Sequence, residues 1–377
     1  MRQGLYALGS NGHGQLGNGH MDDTAEVHTV VGPQGLITER PRALEFGGTH
    51  SILLFDSDPE AYYVTGSNDM GQFGDMQTRR CQEFIRMATP GHTWKRAAAG
   101  WTFSLLVDEQ DHVYSCGHSN FGGLGRGQGT PTSRTLGRIE GLPQKPIAAM
   151  SCCLEHVVVL YGDGEVWGWG GARKGQLGLL NGPVRCLWAP RKLALPKDAP
   201  QAPTDVHCGR EFTLVSCRKT GHFSVLGTDK HGLQTLSCDR DEYDKLHARH
   251  LSAGYSSVGT TWTSIHFLLP NARILSLGSN RNCQHAPREF NCEAAPAKGD
   301  RKILQMVPGS EHVVVEVETS SAKQTLAWGW AEHGNCGIVD HTTENMSIEE
   351  PNEILESPPG SRLTLYAGTA STWLHSC

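Results

Sequence analysis

The chain has 377 residues, 38% hydrophobic and 19% charged, with a formal charge of -6 and no run of five lysines or arginines. That balance excludes the broad basic surface on which non-specific nucleic-acid binding rests, so no direct nucleic-acid contact is expected. No stretch of 18 apolar residues is present to form a membrane-spanning helix, and Met1-Arg2-Gln3-Gly4 runs straight into a structured phrase, so neither membrane insertion nor a signal peptide is expected.

The first predicted element is a short strand, Tyr6-Ala7-Leu8-Gly9, closed by the turn Ser10-Asn11 and by Gly14-Gln15-Leu16-Gly17. The same phrase returns at Tyr63-Val64-Thr65-Gly66 with Gly71-Gln72-Phe73-Gly74, and further copies centre on Gly117, Gly170, Gly227, Gly278 and Ala331. Successive copies are 51 to 57 residues apart. Between them lies a second phrase, a glycine followed by an apolar strand, as in Gly47-Gly48-Thr49-His50-Ser51-Ile52 and Gly100-Trp101-Thr102-Phe103-Ser104-Leu105. The 45 glycines are spaced, not clustered, and so mark turns. β-Branched and aromatic strands of four to six residues, with polar turns such as Asp108-Glu109-Gln110-Asp111, predict hairpins. Room for two more strands in each period predicts an all-β, seven-bladed β-propeller of four-stranded antiparallel blades, one domain over residues 1–377. The chain opens on a first phrase and finishes on a second, Tyr366 to Leu374, so strands from both termini are expected to close the ring. The stretch from Gly182 to Pro203, with five prolines, reads as a loose surface loop.

Twelve cysteines without a C-x-x-C pair predict mostly free thiols in a reducing compartment. There is no G-x-S-x-G, no phosphate-loop motif and no H-E-x-x-H. Gly12-His13-Gly14-Gln15-Leu16-Gly17 matches a dinucleotide fingerprint by letters only, since it recurs as a turn and precedes no helical pattern. No enzymatic activity, cofactor or metal is expected.

The paired phrases G-x-N-x-x-G-Q-L-G and C-G-x-x-H-S resemble the regulator of chromosome condensation repeat family, whose members are seven-bladed propellers. The less regular segments Trp262-Thr263-Ser264-Ile265-His266 and Trp328 to Gly337, with the opening Tyr6 to Gly12 and the ending Ala370 to Trp373, are similar to the fungal tubulin-suppressor branch of that family. The resemblance implies a non-enzymatic scaffold, cytoplasmic and nuclear, that forms a heterodimer with a small acidic protein carrying a four-cysteine metal site. Such a pair supports diphthamide synthesis on elongation factor 2 and, indirectly through Elongator, modification of the tRNA wobble uridine. The alternative that the family offers is a guanine-nucleotide exchange factor for a small GTPase.

Departures from the repeat locate candidate contacts. The fifth copy reads Gly232-Leu233-Gln234-Thr235, the sixth Cys283-Gln284-His285-Ala286, and the seventh, centred on Ala331, reads as two residues short before Gly334. Either these turns shape a partner surface or they have drifted where a shallow turn tolerates it. On the first reading the partner contacts are Trp262, Thr263, Ser264 and His266, then Glu332, His333, Asn335 and Cys336, with Trp101 and Trp373 as further aromatic candidates for which packing between blades is the preferred reading. His333 and Cys336 have H-x-x-C spacing, which is two ligands short of a zinc site. His50, His156 and His312 share one slot, filled elsewhere by Phe103 and Phe212, and are read as structural hydrogen bonds to a neighbouring turn.

Overall fold

The computed structural model describes residues 1–74, 77–178, 180, 184–233, 251–292, 301–338 and 346–377. It is a seven-bladed β-propeller of antiparallel sheets. With strands lettered A to D from the central channel outward, blade I comprises Ala43–Phe46, His50–Leu54, Ala61–Ser67 and Arg80–Ala88. Blade II comprises Trp94–Ala99, Phe103–Asp108, Val113–His118 and Thr132–Arg138. Blade III comprises Ile147–Cys153, His156–Tyr161, Val166–Gly171 and Cys186–Lys192. Blades IV (Asp205–Cys208, Phe212–Ser216, Phe223–Gly227) and V (Ser257–Thr260, Ser264–Leu268, Ile274–Gly278) have strands A to C among the described residues. Blade VI comprises Lys302–Pro308, His312–Glu318, Lys323–Trp330 and Ser347–Ser357.

Blade VII joins the two ends of the chain. Its A and B strands are Leu363–Gly368 and Ser371–Ser376, and its C and D strands are Gly4–Gly9 and Thr24–Thr29. Ser371–Ser376 pairs with both inner neighbours, from Gly4↔Ser376 to Gly9↔Ser371 on one side and from Leu363↔Ser376 to Gly368↔Ser371 on the other. The proline-rich stretch is corrected by the structure: within it, residues 186–192 form the outer strand of blade III, because the edge of a sheet tolerates Pro190. Residues 182 and 183 of that stretch lie outside the described residues.

Strand B of each blade is buried on both faces, so its residues alternate between two cores. Val157 and Val159 face blade II, whereas Val158 and Leu160 face blade IV. Seven hydrophobic clusters result, one at each junction between blades. At about 1.5–3 kcal/mol for each large apolar side chain enclosed, these junctions dominate the folding energy.

The first-phrase glycine ends strand C with φ between +94° and +132° in all seven blades, at Gly9, Gly66, Gly117, Gly170, Gly227, Gly278 and Gly329. At Gly66 a Cβ would lie 2.2 Å from the Thr49 carbonyl oxygen, which explains the residue type. The seventh glycine is therefore Gly329, paired with His312 as Gly66 is with His50. This corrects the sequence register by two residues: Ala331 occupies the Asn11 slot, Gly334 that of Gly14, and nothing is missing from the seventh turn.

The remaining letters of the phrase brace the C–D turn. Asn11 and Asn68 accept hydrogen bonds through Oδ1 from Leu16 N (2.9 Å) and Phe73 N (2.8 Å). Gln15, Gln72, Gln176 and Gln284 accept through Oε1 from the amide two residues back, each at 2.9 Å. Each slot histidine joins its blade to the next: His50 Nε2 meets Ser104 Oγ (2.9 Å), and His156 and His312 meet Thr213 and Thr372 Oγ1 (both 3.1 Å). Those hydroxyls in turn donate to the carbonyls of Gln72, Gln176 and Asn335 in the first blade's turn. Where the slot holds Phe103 or Phe212, the facing residue is Val157 or Ile265 in the same hydrophobic cluster.

Candidate functional site

The A–B loops and C–D turns project from the same face, since strands A and C both run towards it. There the residue after each second-phrase glycine lines the channel mouth, and neighbouring blades are tied by backbone bonds at this position. Gly48 N donates to Trp101 O, Trp101 N to Leu154 O, Arg210 N to Trp262 O and Trp262 N to Ser310 O, at 2.7–2.9 Å. This ring aims the two tryptophans inward. Trp101 of blade II and Trp262 of blade V, with two blades between them, meet edge to face across the mouth with centroids 6.0 Å apart. Trp101 remains 37% exposed and Trp262 is partly buried. An aromatic pair held from opposite sides of the ring is a rigid, amphipathic surface with little entropy to lose on contact.

Beneath Trp262 lies a carboxylate. Glu311 accepts from Thr263 Oγ1 (2.9 Å) and from Gln284 Nε2 (2.7 Å), and burial pushes its pKa up to about 7. Arg210 lies close enough to oppose that rise. Glu155, bonded by Ser119 Oγ at 2.6 Å, is likewise raised by burial.

Outward from the mouth, the third and fourth residues after each first-phrase glycine form the rim. In blades III, IV and V these are Arg173 and Lys174, Lys230 and His231, and Arg281 and Asn282, with Arg210 alongside on an A–B loop. Arg173, Arg210, Lys230 and Arg281 are exposed, and Glu211 sits among them, 3.9 Å from Lys174 and 3.6 Å from Lys230. On blades I and II the same slots offer exposed Met70 and Phe121. The chain as a whole is acidic, yet this face carries a cationic arc beside an aromatic and apolar one. Composition hid the arc because its members lie far apart in sequence; counting from the phrase glycines would have found it.

Of the residues singled out from sequence, Trp101, Trp262, Thr263, Glu332 and His333 lie on this face with some surface. Ser264, His266, Asn335, Cys336 and Trp373 are enclosed, so none offers a side chain to a partner. Ser264 Oγ and His266 Nε2 bond each other at 2.9 Å, and burial lowers the His266 pKa to about 3. Trp373 fills the junction of blades VII and I against Phe46, at 5.3 Å between centroids. Cys336 occupies the core slot that Leu16 holds in the first copy, and burial raises its thiol pKa. His333 Nδ1 instead meets Asp23 Oδ2 at 2.6 Å, next to Trp330. Buried Cys336 and paired His333 do not form a ligand set, and no group of three metal-ligating side chains occurs among the described residues.

The family model of the regulator of chromosome condensation (RCC1) repeat matches residues 163–216, which run from strand C of blade III to strand B of blade IV. Along its whole length the chain is similar to an RCC1 repeat-containing protein of Schizosaccharomyces pombe, 28% identical with 98% of each chain covered. It is also similar to the secretion-regulating guanine nucleotide exchange factor of Mus musculus, 27% identical over 99% of this chain and 83% of that one. Among solved structures, human WBSCR16 superposes with a TM-score of 0.74 at 15% identity, covering 99% of both chains. Yeast RCC1 (Prp20), solved bound to Kap60, gives 0.72 at 16% identity over 99% of this chain and 88% of that one. The two structures speak for the fold alone. The repeat match and the full-length relatives support a general protein-interaction propeller, similar to the regulator of chromosome condensation repeat proteins.

Proposed function

We propose that this propeller is a non-enzymatic adaptor whose A–B/C–D face holds a small acidic protein with a four-cysteine metal site. Through that heterodimer it serves diphthamide synthesis on elongation factor 2 and Elongator-dependent modification of the tRNA wobble uridine, in cytoplasm and nucleus. The observation carrying the reading is the Trp101–Trp262 pair across the channel mouth, bordered by cations from blades III to V. Opposed charge would steer an acidic partner and fix its orientation, while the desolvated indoles supply affinity. Likeness of the Trp262–His266 and Trp328–Gly337 segments to the fungal tubulin-suppressor branch selects the partner class.

Co-expression with the four-cysteine protein should give a 1:1 complex on size-exclusion chromatography, and Trp262→Ala should weaken it about 30-fold, the scale of one interface hot spot. Separate elution at micromolar concentration would sink the adaptor reading. An unchanged dissociation constant for Trp262→Ala would move the contact off this face. A second reading, exchange factor for a small GTPase, is favoured by the mouse relative's name. It predicts accelerated release of a fluorescent guanine nucleotide from a GTPase that the chain also binds.

A further inference from the structure

On the opposite face, where the ring closes, a cavity of about 400 Å³ opens between blades VI and VII. Four regions of the chain build it. Arg40 comes from the segment linking blade VII to blade I, Gln305, Glu316 and Lys323 from blade VI, Arg362 from the residue before the inner strand of blade VII, and Cys377 from the residue after its second strand.

Its centre is a carboxylate that the protein leaves half satisfied. Glu316 is 2% exposed, and its Oε2 accepts from Gln305 Nε2 at 2.7 Å. Gln305 Nε2 also donates to Leu363 O at 2.7 Å, which fixes the amide. Glu316 Oε1 has no hydrogen-bond partner among the described residues; Lys323 Nζ lies 3.8 Å away and donates to Ser361 O at 2.9 Å instead. A buried carboxylate oxygen without a donor is costly, and a ligand hydroxyl or amine would relieve it.

Arg40, Arg362 and Lys323 line the cavity with Glu316 and Cys377, and Lys323 is the cation within ion-pair distance of Glu316. Arg40, beside the Tyr366 hydroxyl, and Arg362 are exposed and have no ion-pair partner among the described residues. Two exposed guanidiniums without a carboxylate partner and a nearby ammonium suit a phosphate, which accepts bidentate bonds from arginine. The volume is that of a small-molecule site and leaves no room for a folded chain.

We propose that this cavity binds a small organic phosphate bearing a neighbouring hydroxyl or amino group. The phosphate sits on Arg40, Arg362 and Lys323, and the neighbouring group donates to Glu316 Oε1. Because the cavity joins blade VI, blade VII and the segment leading to blade I, an occupant ties the closing seam together and raises the melting temperature of the whole ring.

Isothermal titration calorimetry of the full chain with glycerol 3-phosphate, inorganic phosphate and glycerol tests this. Glycerol 3-phosphate should bind saturably at one site, inorganic phosphate about tenfold more weakly, and glycerol not at all. Arg40→Gln and Arg362→Gln, both at exposed positions, should each weaken glycerol 3-phosphate about tenfold, and Glu316→Gln should remove its advantage over inorganic phosphate. No saturable heat from either phosphate up to about 10 mM would overturn the proposal, as would arginine variants that bind like the parent. So would binding of a phosphoserine peptide in place of glycerol 3-phosphate.

Discussion

The pairing of slot histidines with hydroxyls on the next blade predicts a swap that the chain has already made elsewhere. His156 faces Thr213, whereas Phe103 faces Val157 and Phe212 faces Ile265 at equivalent junctions. Thr213→Val alone removes the partner of His156 Nε2 and the donor to the Gln176 carbonyl, a cost of about 1–3 kcal/mol for buried groups left unpaired. His156→Phe added to it restores an apolar pair of the kind that blades II and IV use, so the double variant should recover about 1 kcal/mol or more relative to the sum of the single changes.

The same pair carries a pH dependence. Burial lowers the His156 pKa to about 4, below the 6.5 of an exposed histidine. Between those values the unfolded chain takes up a proton that the native one refuses, so stability is complete above pH 6.5 and falls as the solution is acidified. For one such histidine the loss at pH 5 is about 2 kcal/mol. His50, His312 and His266, lowered to about 3, 4 and 3, act in the same direction. Urea unfolding followed by tryptophan fluorescence at pH 7.5 and pH 5 measures both effects. The His156→Phe/Thr213→Val variant should show a pH difference smaller than the parent's by about 2 kcal/mol. A double variant with the parent's full pH difference, and no coupling between the two sites, would refute a neutral histidine that bridges the blades.

Two further outcomes follow from the backbone. Cys283 holds φ +57° in the turn slot where Gly14, Gly71 and Gly334 stand, so Cys283→Gly should stabilise the chain by about 1 kcal/mol, read as a higher urea midpoint. Removing residues 368–377 deletes the strand that pairs with both Gly4–Gly9 and Leu363–Gly368, together with buried Trp373 and Leu374; a loss of more than about 5 kcal/mol should abolish the cooperative melt seen by circular dichroism, and an unchanged transition would contradict closure by this strand.

The propeller was legible because its glycines answer to local geometry: a left-handed bulge recurs wherever strand C ends, and only one residue type meets it without strain. The histidine bridges were half legible. Three histidines in one slot announced a structural bond, but the partner hydroxyl lies 54 to 60 residues on, so the choice between histidine and phenylalanine makes sense only once neighbouring blades are set side by side. The ten candidate contacts divided for the same reason. Exposure on this face depends on whether a residue belongs to the loop tip or to the slots that bond across blades, and the letters do not distinguish them.

The seventh copy shows most clearly what a repeat pattern conceals. Trp328-Gly329-Trp330-Ala331 looks like Trp167-Gly168-Trp169-Gly170, and aligning them letter for letter places Ala331 in the glycine slot. Strand pairing aligns Gly170 with Gly329, so Trp169 corresponds to Trp328, and these are the fully buried indoles of their two pairs. A slip of two residues preserves the alternation of faces along a strand, so no pattern of buried and exposed positions could expose it. Only the turn could, because the interval from the strand-ending glycine to the next left-handed residue is fixed at five in all seven copies: Gly14, Gly71, Gly122, Gly175, Gly232, Cys283 and Gly334. Counted that way, the seventh turn is regular and Cys336 is a core residue. The departures left on the A–B/C–D face are the cations of blades III to V and the two tryptophans beside them, and it is there that the repeat gives way to chemistry of its own.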